Sequence, residues 1–358
     1  MHTQRKECMG YEHGGRRGDG LACDHSVSLN PAGPPESIKN ALMEAVDKAD
    51  RYPDADQLKI RDHIASVYGL TCENVICGNG ASELIMAVCH MINPGHALLL
   101  SPSFYGYEHA LKSVGCLISR YALDERNGYV LDEKILDELT KDIDIFFLCN
   151  PNNPTGRAVD HKLLLSIAKR CVENDIYLVL DECFVHMSDK ACTLSDLVKC
   201  NDRLMIINAF TKIFALPGVR FGYALADPEM IRGLKDTLPE WNVSVFGESM
   251  VKEGCRLLHD GDYINGITAF IKKERDYLSE KLSEIGIKVY KSEANFILVY
   301  SDINIGDVLA TKGICVRDCS NFDSLKEGFY RIAVRSHEEN KRMTEVLREE
   351  LEHRICKA

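Results

Sequence analysis

The 358-residue chain is 45% hydrophobic with a formal net charge of −11, so it can bury a large core and is a poor general partner for nucleic acid or an anionic membrane. No apolar run approaches transmembrane length, and the first eight residues lack the apolar core of a signal peptide. The 15 cysteines contain no Cys-x-x-Cys pair, which favours free thiols over a disulfide framework. We expect a cytoplasmic protein of two domains without a metal site.

The N-terminal part of the chain divides into a polar arm and a helical stretch. Residues 1–20 are polar and rich in glycine, and we expect the arm to extend over residues 1–34. Helical periodicity follows over residues 35–50 and 55–68, and Arg51-Tyr52-Pro53-Asp54 interrupts it. The sequence therefore predicts two helices before the first apolar strand.

The remainder of the chain predicts one large and one small domain. Between residues 72 and 226, short apolar strands alternate with amphipathic helices, which is typical of a mostly parallel sheet. Residues 228–285 are mainly helical, and from residue 287 strands and helices mix in an α+β pattern. We expect a large domain over residues 35–255 and a small domain over residues 256–358, to which the N-terminal segment also contributes.

One lysine stands out because of its surroundings. Lys212 follows the apolar run Leu204–Ile207, which predicts a buried strand, and Arg220 comes eight residues later. A desolvated lysine can hold an aldehyde as a Schiff base, and an arginine suits a phosphate ester. An aldehyde with a phosphate describes pyridoxal 5'-phosphate (PLP). Taken alone, the motif is equally compatible with a surface lysine and arginine beside a strand.

Three further segments point to the same cofactor. Asp181 ends the apolar strand Tyr177–Asp181, where a carboxylate can keep a pyridinium nitrogen protonated, although aspartate also caps helices. Asn153 lies in an Asn/Pro/Gly cluster that follows another apolar strand, and such a cluster is also a turn signal. The segment Gly78–Ser82 joins a strand to a helix, whose free N–H groups can bind phosphate, although a plain turn explains it equally well in isolation.

The order and spacing of these four segments resemble the fold-type I PLP enzymes of the aspartate aminotransferase superfamily. Two branches are the most similar: the threonine-phosphate decarboxylases of cobalamin biosynthesis and the histidinol-phosphate aminotransferases. The resemblance extends from His13 to about Leu351. It implies an α/β fold with a large PLP-binding domain, whose mostly parallel sheet is flanked by helices, and a small α+β domain. It also implies an N-terminal arm over the active site and a homodimer with shared active sites.

The resemblance assigns a role at the cofactor ring to four residues. Lys212 is the Schiff-base lysine and later transfers a proton at the substrate carbon, and Asp181 pairs with the pyridine nitrogen. Asn153 contacts the phenolic oxygen, and Phe104 stacks on the ring. One departure from the family is Ala209, three residues before the lysine, where serine or threonine is common. One hydrogen bond to the cofactor phosphate is therefore missing or supplied elsewhere.

The resemblance also assigns residues to the phosphate of the cofactor. Ala81, Ser82 and Arg220 would hold this phosphate, and Tyr52 would reach the phosphate bound by the neighbouring subunit. Two more cofactor-binding residues follow from the same motifs, Gly80 and Thr211.

Substrate recognition is expected to depend on two arginines and the N-terminal segment. Arg331 matches the arginine that binds the α-carboxylate of the substrate, and a guanidinium suits a planar carboxylate. Arg317 matches a residue that binds the distal phosphate in the decarboxylase branch. A surface salt bridge is the alternative for each arginine. The resemblance adds His13, Ser28 and Asn30 to the substrate-binding residues.

The choice of reaction rests on smaller differences. Phe184 stands where the aminotransferase branch usually has tyrosine, and His13-Gly14-Gly15 resembles the decarboxylase arm, but that branch usually has asparagine where Arg16 and Ser28 stand. The resemblance favours decarboxylation of a phosphorylated L-amino acid, O-phospho-L-threonine first and O-phosphoserine as an alternative. Transamination of the histidinol-phosphate type stays open. A PLP-dependent regulator is the non-enzyme alternative, but the short arm and the acidic charge argue against a fused DNA-binding domain.

Overall fold

The computed structural model describes residues 22–355, with side chains up to Glu352, so the predicted arm residue His13 lies outside the described range. Within that range no helix combines the length and the apolar composition needed to cross a membrane.

A mostly parallel sheet forms the centre of the large domain. Within the described residues it has seven strands in the order β2-β8-β7-β6-β5-β3-β4, and β8 runs antiparallel to both of its neighbours. The predicted sheet of alternating strands and helices is thus confirmed. The strands are β2 (Val75–Gly78), β3 (His96–Ser101), β4 (Leu117–Ala122), β5 (Ile145–Cys149), β6 (Tyr177–Asp181), β7 (Leu204–Ala209) and β8 (Gly222–Ala226).

Helices cover both faces of this sheet because its central strands are mostly apolar and are buried on both faces. All residues of β5 are buried, and alternate side chains such as Phe146 and Phe147 pack into separate cores on the two faces. The helices of the large domain are α1 (Glu36–Ala45), α2 (Leu58–Val67), α3 (Ala81–Ile92), α4 (Tyr105–Ser113), α5 (Ile135–Glu138), α6 (His161–Glu173), α7 (Phe210–Ile213), α8 (Pro228–Thr237) and α9 (Val245–His259). Helices α3, α4 and α8 pack on one face, and α2, α6 and α9 pack on the other.

The small domain combines a four-stranded antiparallel sheet with helices. Its strand order is β12-β13-β10-β9 within the described residues, and its core lies between this sheet and the surrounding helices. Its elements are α10 (Gly261–Glu284), β9 (Lys288–Val289), β10 (Phe296–Tyr300), α11 (Ile305–Ala310), β11 (Ile314–Cys315), β12 (Arg317–Asp318), β13 (Phe329–Ala333) and α12 (His337–Ile355).

The N-terminal segment belongs to the small domain, as the fold prediction required. The short strand β1 (Cys23–Asp24) pairs in parallel with β11. The next residue, His25, accepts the N–H of Ala333 with its carbonyl at 2.9 Å, and its ring nitrogen Nδ1 lies 2.9 Å from the carbonyl of Ala333. These contacts direct residues 26–30 towards the carboxyl ends of the central strands. The domain boundary at residue 255 stays a prediction.

Candidate active site

A cavity of about 350 Å³ lies where the two domains meet, beside the carboxyl ends of β5, β6 and β7. Parallel strands present these ends at one edge of the sheet, which is where such folds bind ligands. Most of the residues that the sequence predicted for the site line this cavity together: Ser28, Ala81, Ser82, Phe104, Asn153, Asp181, Thr211, Lys212, Arg220, Arg317 and Arg331.

Lys212 lies on α7, directly after the buried strand β7. Burial lowers the pKa of its amine, and the neighbouring positive charge of Arg331 lowers it further. A larger fraction of the amine is therefore neutral, and thus nucleophilic, than in an exposed lysine. Asn30 holds this turn from outside: its Nδ2 donates to the carbonyl of Ile213 at 2.8 Å, and its backbone N–H donates to the carbonyl of Lys212 at 3.0 Å.

Asn30 was expected to bind substrate, but its side chain is used differently in the structure. Besides the bond to Ile213, its Oδ1 accepts the N–H of Ala32 at 3.0 Å. Asn30 is not among the described residues that line the cavity. These contacts support the position of Lys212, and the contact of Asn30 with substrate stays a prediction.

Asp181 is held by a tyrosine that the sequence did not single out. The carboxylate is only 6% exposed, and its Oδ2 accepts the hydroxyl of Tyr107 at 2.6 Å while Oδ1 accepts the N–H of Cys183 at 3.0 Å. Burial raises the pKa of Tyr107, so its hydroxyl stays a donor. Its spacing could have identified Tyr107 from the sequence, since it lies one helical turn after Phe104, which lines the cavity.

A second carboxyl group, Glu182, follows Asp181 but is buried in the protein interior. Its Oε1 accepts the N–H of Leu194 at 3.3 Å, and the side chain is inaccessible to solvent. Burial raises the pKa of Glu182 to about 8, and the charge of Asp181 adds to this effect. Glu182 is therefore protonated at neutral pH.

We expect the Glu182→Gln variant to lose less stability than the wild type as the pH rises. The pKa of Glu182 is raised from 4.5 to about 8 on folding, so between these values the folded state keeps a proton that the unfolded state releases. The free energy of unfolding of the wild type should fall in that window by up to about 1.4 kcal/mol per pH unit. Glutamine does not titrate. Denaturant unfolding at pH 5, 6, 7 and 8 measures both slopes, and equal slopes would contradict the assignment.

The phosphate-binding end of the cavity is built by a glycine turn, a helix start and an arginine. Gly80 caps α3 with φ +82°, and Arg220 Nη2 donates to Ser82 Oγ at 3.0 Å and to the carbonyl of Asn79 at 3.3 Å. A Cβ atom at Gly80 would lie 2.4 Å from Arg220 Nη2, so only glycine permits this approach. Free N–H groups and a guanidinium at one point suit a phosphate ester.

These residues fit PLP. The helix start and Arg220 would hold its phosphate, Asp181 would pair with its ring nitrogen, and Lys212 supplies the amine for its aldehyde. Phe104 lies on the cavity wall, as a stacking partner requires. The close approach of Arg220 to Gly80 at the start of α3 is the observation that favours a phosphorylated cofactor over an unphosphorylated one.

Two arginines of the small domain enter the cavity side by side. Arg317 on β12 and Arg331 on β13 are cross-strand partners in the antiparallel sheet, and both are nearly buried. Arg331 Nη1 donates to Asn153 Oδ1 at 2.6 Å, and its Nη2 donates to the carbonyl of Ser26 at 2.9 Å. Burial lowers the pKa of Arg331 to about 10, so it stays charged at neutral pH.

Two polar atoms among the described residues lie buried here without a hydrogen-bond partner, namely Ser28 Oγ and Arg331 Nε. Both residues line the cavity. Because a buried polar group without a partner is costly, these atoms indicate where a bound ligand would complete the hydrogen bonding.

Arg335 and Tyr52 lie in different surroundings from the residues that line the cavity. Arg335 would lie on the same face as Arg331 if the strand continued, but β13 ends at Ala333, and Arg335 pairs with Glu339 at 3.2 Å instead. Tyr52 is 80% exposed, and its ring lies 4.9 Å from that of Trp241, outside the cavity. Its predicted contact is with a neighbouring subunit, and that contact stays a prediction.

Comparison with known proteins agrees with this geometry. A family model described as aminotransferase class I and II matches residues 26–347. The threonine-phosphate decarboxylase of Salmonella typhimurium is 33% identical over 331 residues, which cover 91% of this chain and 90% of that protein. The histidinol-phosphate aminotransferase of Methanosphaera stadtmanae is 30% identical over 336 residues, which cover 90% and 89%. The crystal structure of the histidinol-phosphate aminotransferase from Clostridium acetobutylicum has a TM-score of 0.84 at 29% identity, and the match covers 92% of this chain and 99% of that one.

Proposed function

The chain belongs to the class I and II aminotransferase family and is a PLP-dependent enzyme of the decarboxylase or aminotransferase type, and from that premise we propose that it decarboxylates O-phospho-L-threonine to aminopropanol phosphate and CO2. The cross-strand pair of Arg317 and Arg331 is the observation that carries the proposal. Two cations at one end of a cavity suit a substrate with two anionic groups, here an α-carboxylate and a phosphate.

The charged residues of the cavity can each take a separate role in this reaction. Arg331 binds the α-carboxylate and Arg317 binds the distal phosphate, so the substrate is held at both ends. When bound, the cofactor supplies an electron sink for the pair that remains on Cα after the bond to the carboxylate breaks. Asp181 keeps the ring nitrogen protonated, and Lys212 delivers the proton that replaces CO2 on Cα.

Two observations favour decarboxylation over transamination. The decarboxylase of Salmonella typhimurium is 33% identical to this chain, against 30% for the aminotransferase of Methanosphaera stadtmanae. Phe184 packs edge-on against Phe296 at 5.1 Å between ring centroids, and it offers no hydroxyl to the cofactor where the aminotransferase branch usually has tyrosine. Transamination of a histidinol-phosphate-type amine is the second candidate, because relatives with that activity in their names match over a similar length.

A comparison of three substrates tests the proposal. The enzyme would be incubated with O-phospho-L-threonine, O-phospho-L-serine or histidinol phosphate, each with and without 2-oxoglutarate. We expect CO2 release from O-phospho-L-threonine that is independent of 2-oxoglutarate. Glutamate formed from histidinol phosphate, without CO2 from either phosphoamino acid, would overturn the proposal, whereas faster CO2 release from O-phospho-L-serine would move it to that substrate.

The Arg317→Ala variant is expected to bind phosphorylated substrates roughly ten- to a hundredfold more weakly. It loses one charge-assisted hydrogen bond to phosphate, which contributes roughly 1.5–3 kcal/mol. Inhibition by L-threonine, which has no phosphate, should change little. KM for O-phospho-L-threonine and the inhibition constant of L-threonine measure the two effects. The control is Arg335→Ala, because Arg335 pairs with Glu339 away from the cavity, and an equal loss in both variants would refute a phosphate contact.

We also propose that the working unit is a homodimer in which Tyr52 contacts the cofactor phosphate of the neighbouring subunit. An interface is supported by exposed large apolar side chains, namely Trp241 in contact with Tyr52 and Met43, Val46 and Leu58 near it in the sequence. An apolar cleft is lined by Met43, Val46 and Val219, and Val219 directly precedes Arg220 in the chain. The cytoplasmic location of the enzyme stays a prediction.

The Tyr52→Phe variant tests the shared site. We expect it to stay dimeric but to bind PLP roughly ten- to a hundredfold more weakly, since one hydrogen bond to a charged phosphate is lost. Sedimentation gives the assembly state, and titration of the apoprotein with PLP gives the affinity. Tyr300→Phe is the control, because the Tyr300 hydroxyl bonds to Asp302 in the small domain. A fully active monomer at assay concentration would refute the dimer.

A further inference from the structure

A loop of the small domain, residues 320–325, is attached to the large domain beside the cavity. Asp323 Oδ2 accepts hydrogen bonds from Arg120 Nε at 2.9 Å and from Ser101 Oγ at 2.9 Å. Ser101 Oγ also lies 2.5 Å from Ser324 Oγ. Two neighbouring residues of the 320–325 loop therefore bind the same point of the large domain.

The large-domain side of this attachment lies on regular secondary structure. Ser101 is the last residue of β3 and is 2% exposed, and Arg120 lies on the neighbouring strand β4. Arg120 is held a second time, since its Nη2 pairs with Glu108 on α4 at 2.9 Å. The anchor for Asp323 is thus fixed by two strands and a helix rather than by flexible side chains alone.

The same loop holds Arg317 from its other end. Asn321 Oδ1 accepts a hydrogen bond from Arg317 Nη2 at 2.9 Å, and the ring of Phe322 lies 5.4 Å from the centre of the guanidinium. Phe322 is buried and lines the active-site cavity together with Arg317. Asn321 and Phe322 directly precede Asp323, so the position of Asp323 determines where both of these contacts lie.

We propose that Asp323 is a positioning residue that, bound by Arg120 and Ser101, holds Arg317 ready for the distal phosphate of the substrate. The inference rests on the proposed function, because it assumes that Arg317 binds that phosphate. A guanidinium already fixed in its binding geometry loses less conformational freedom when the substrate arrives, so it binds more tightly. Asp323 then contributes to the preference for phosphorylated over unphosphorylated amino acids without touching either one.

The Asp323→Asn variant of the holoenzyme tests this role. We expect KM for O-phospho-L-threonine to rise about twofold to fivefold, with kcat and the inhibition constant of L-threonine nearly unchanged. The control is Glu327→Gln, which removes one negative charge from an exposed position just beyond the loop and should change none of these values. A fall in kcat with unchanged KM, or equal effects on both ligands, would overturn the proposal.

A double-mutant cycle separates this inference from the proposed function. If Asp323 acts through Arg317, Asp323→Asn should add nothing to KM in the Arg317→Ala background. The same factor in both backgrounds would overturn the positioning role while leaving the proposed function in place. If Arg317→Ala itself leaves KM unchanged, the proposed phosphate contact fails first. Arg120→Gln breaks the same ion pair from the large-domain side and should reproduce the effect of Asp323→Asn. An unchanged KM in a folded Arg120→Gln protein would count against the proposal.

Discussion

The Lys212→Ala variant is expected to lose turnover by roughly 10⁴-fold or more, because it lacks both the amine that holds the cofactor and the proton donor at Cα. Among the described residues, Lys212 is the lysine that lines the cavity, where burial lowers the pKa of its amine and Asp181 and Arg220 lie on the same walls. The variant should still fold, because alanine fits a short helix and the bonds from Asn30 go to backbone carbonyls.

Two measurements check this result. Steady-state kinetics gives the loss of turnover, and borohydride reduction followed by peptide mapping shows which lysine carries the cofactor. The wild type should carry the reduced label on the peptide that contains Lys212, and the variant should carry none. Lys190→Ala, at an exposed position, is the control and should behave like the wild type. An active Lys212→Ala protein with label on another lysine would refute the assignment of Lys212 as the cofactor-binding lysine.

The Arg331→Gln variant is expected to lose roughly 10²- to 10⁴-fold in kcat/KM for O-phospho-L-threonine. A guanidinium that binds a carboxylate through two charge-assisted hydrogen bonds contributes roughly 1.5–3 kcal/mol for each bond. Arg331 is 9% exposed and bonds to Asn153 Oδ1 and to the carbonyl of Ser26, so the structure already orients it towards the cavity. Glutamine keeps a donor for Asn153 but cannot provide the charge.

The product distinguishes a substrate contact from a merely structural role for Arg331. Aminopropanol phosphate has no carboxylate, so its inhibition constant should stay within a few-fold of the wild-type value in Arg331→Gln. Arg331→Lys should recover part of kcat/KM, because lysine restores the charge without the fork geometry. If inhibition by the product weakens as much as KM for the substrate rises, Arg331 supports the cavity as a whole and does not bind the α-carboxylate.

The sequence by itself determined the fold class and the residues that stand at the ends of strands. Lys212, Asp181 and Asn153 each follow an apolar run, and apolar runs that alternate with helices predict a parallel sheet whose strands end at a common edge. Local sequence is sufficient in these cases because a buried strand places the residue that follows it. The glycine turn before α3 is predictable for the same reason.

Only the tertiary structure decided which side chains support these residues. The Tyr107 hydroxyl reaches Asp181 across 74 positions of sequence, and Asn30 reaches Ile213 across 183. The attachment of Asp323 to Arg120 likewise joins two domains. No periodicity links such distant positions, because their contacts depend on how helices and domains pack against the sheet.

Arg335 shows that strand periodicity can also predict a neighbour that the structure does not provide. Strand alternation places it beside Arg331 only if β13 continues past Ala333, but the strand ends there and Arg335 turns to Glu339 at the start of α12. Arg317, by contrast, lies beside Arg331 because β12 and β13 pair in one register. Sequence periodicity describes a strand, whereas the end of the strand and the register with its partner are chosen by packing, since a slip of one residue would turn every side chain to the other face.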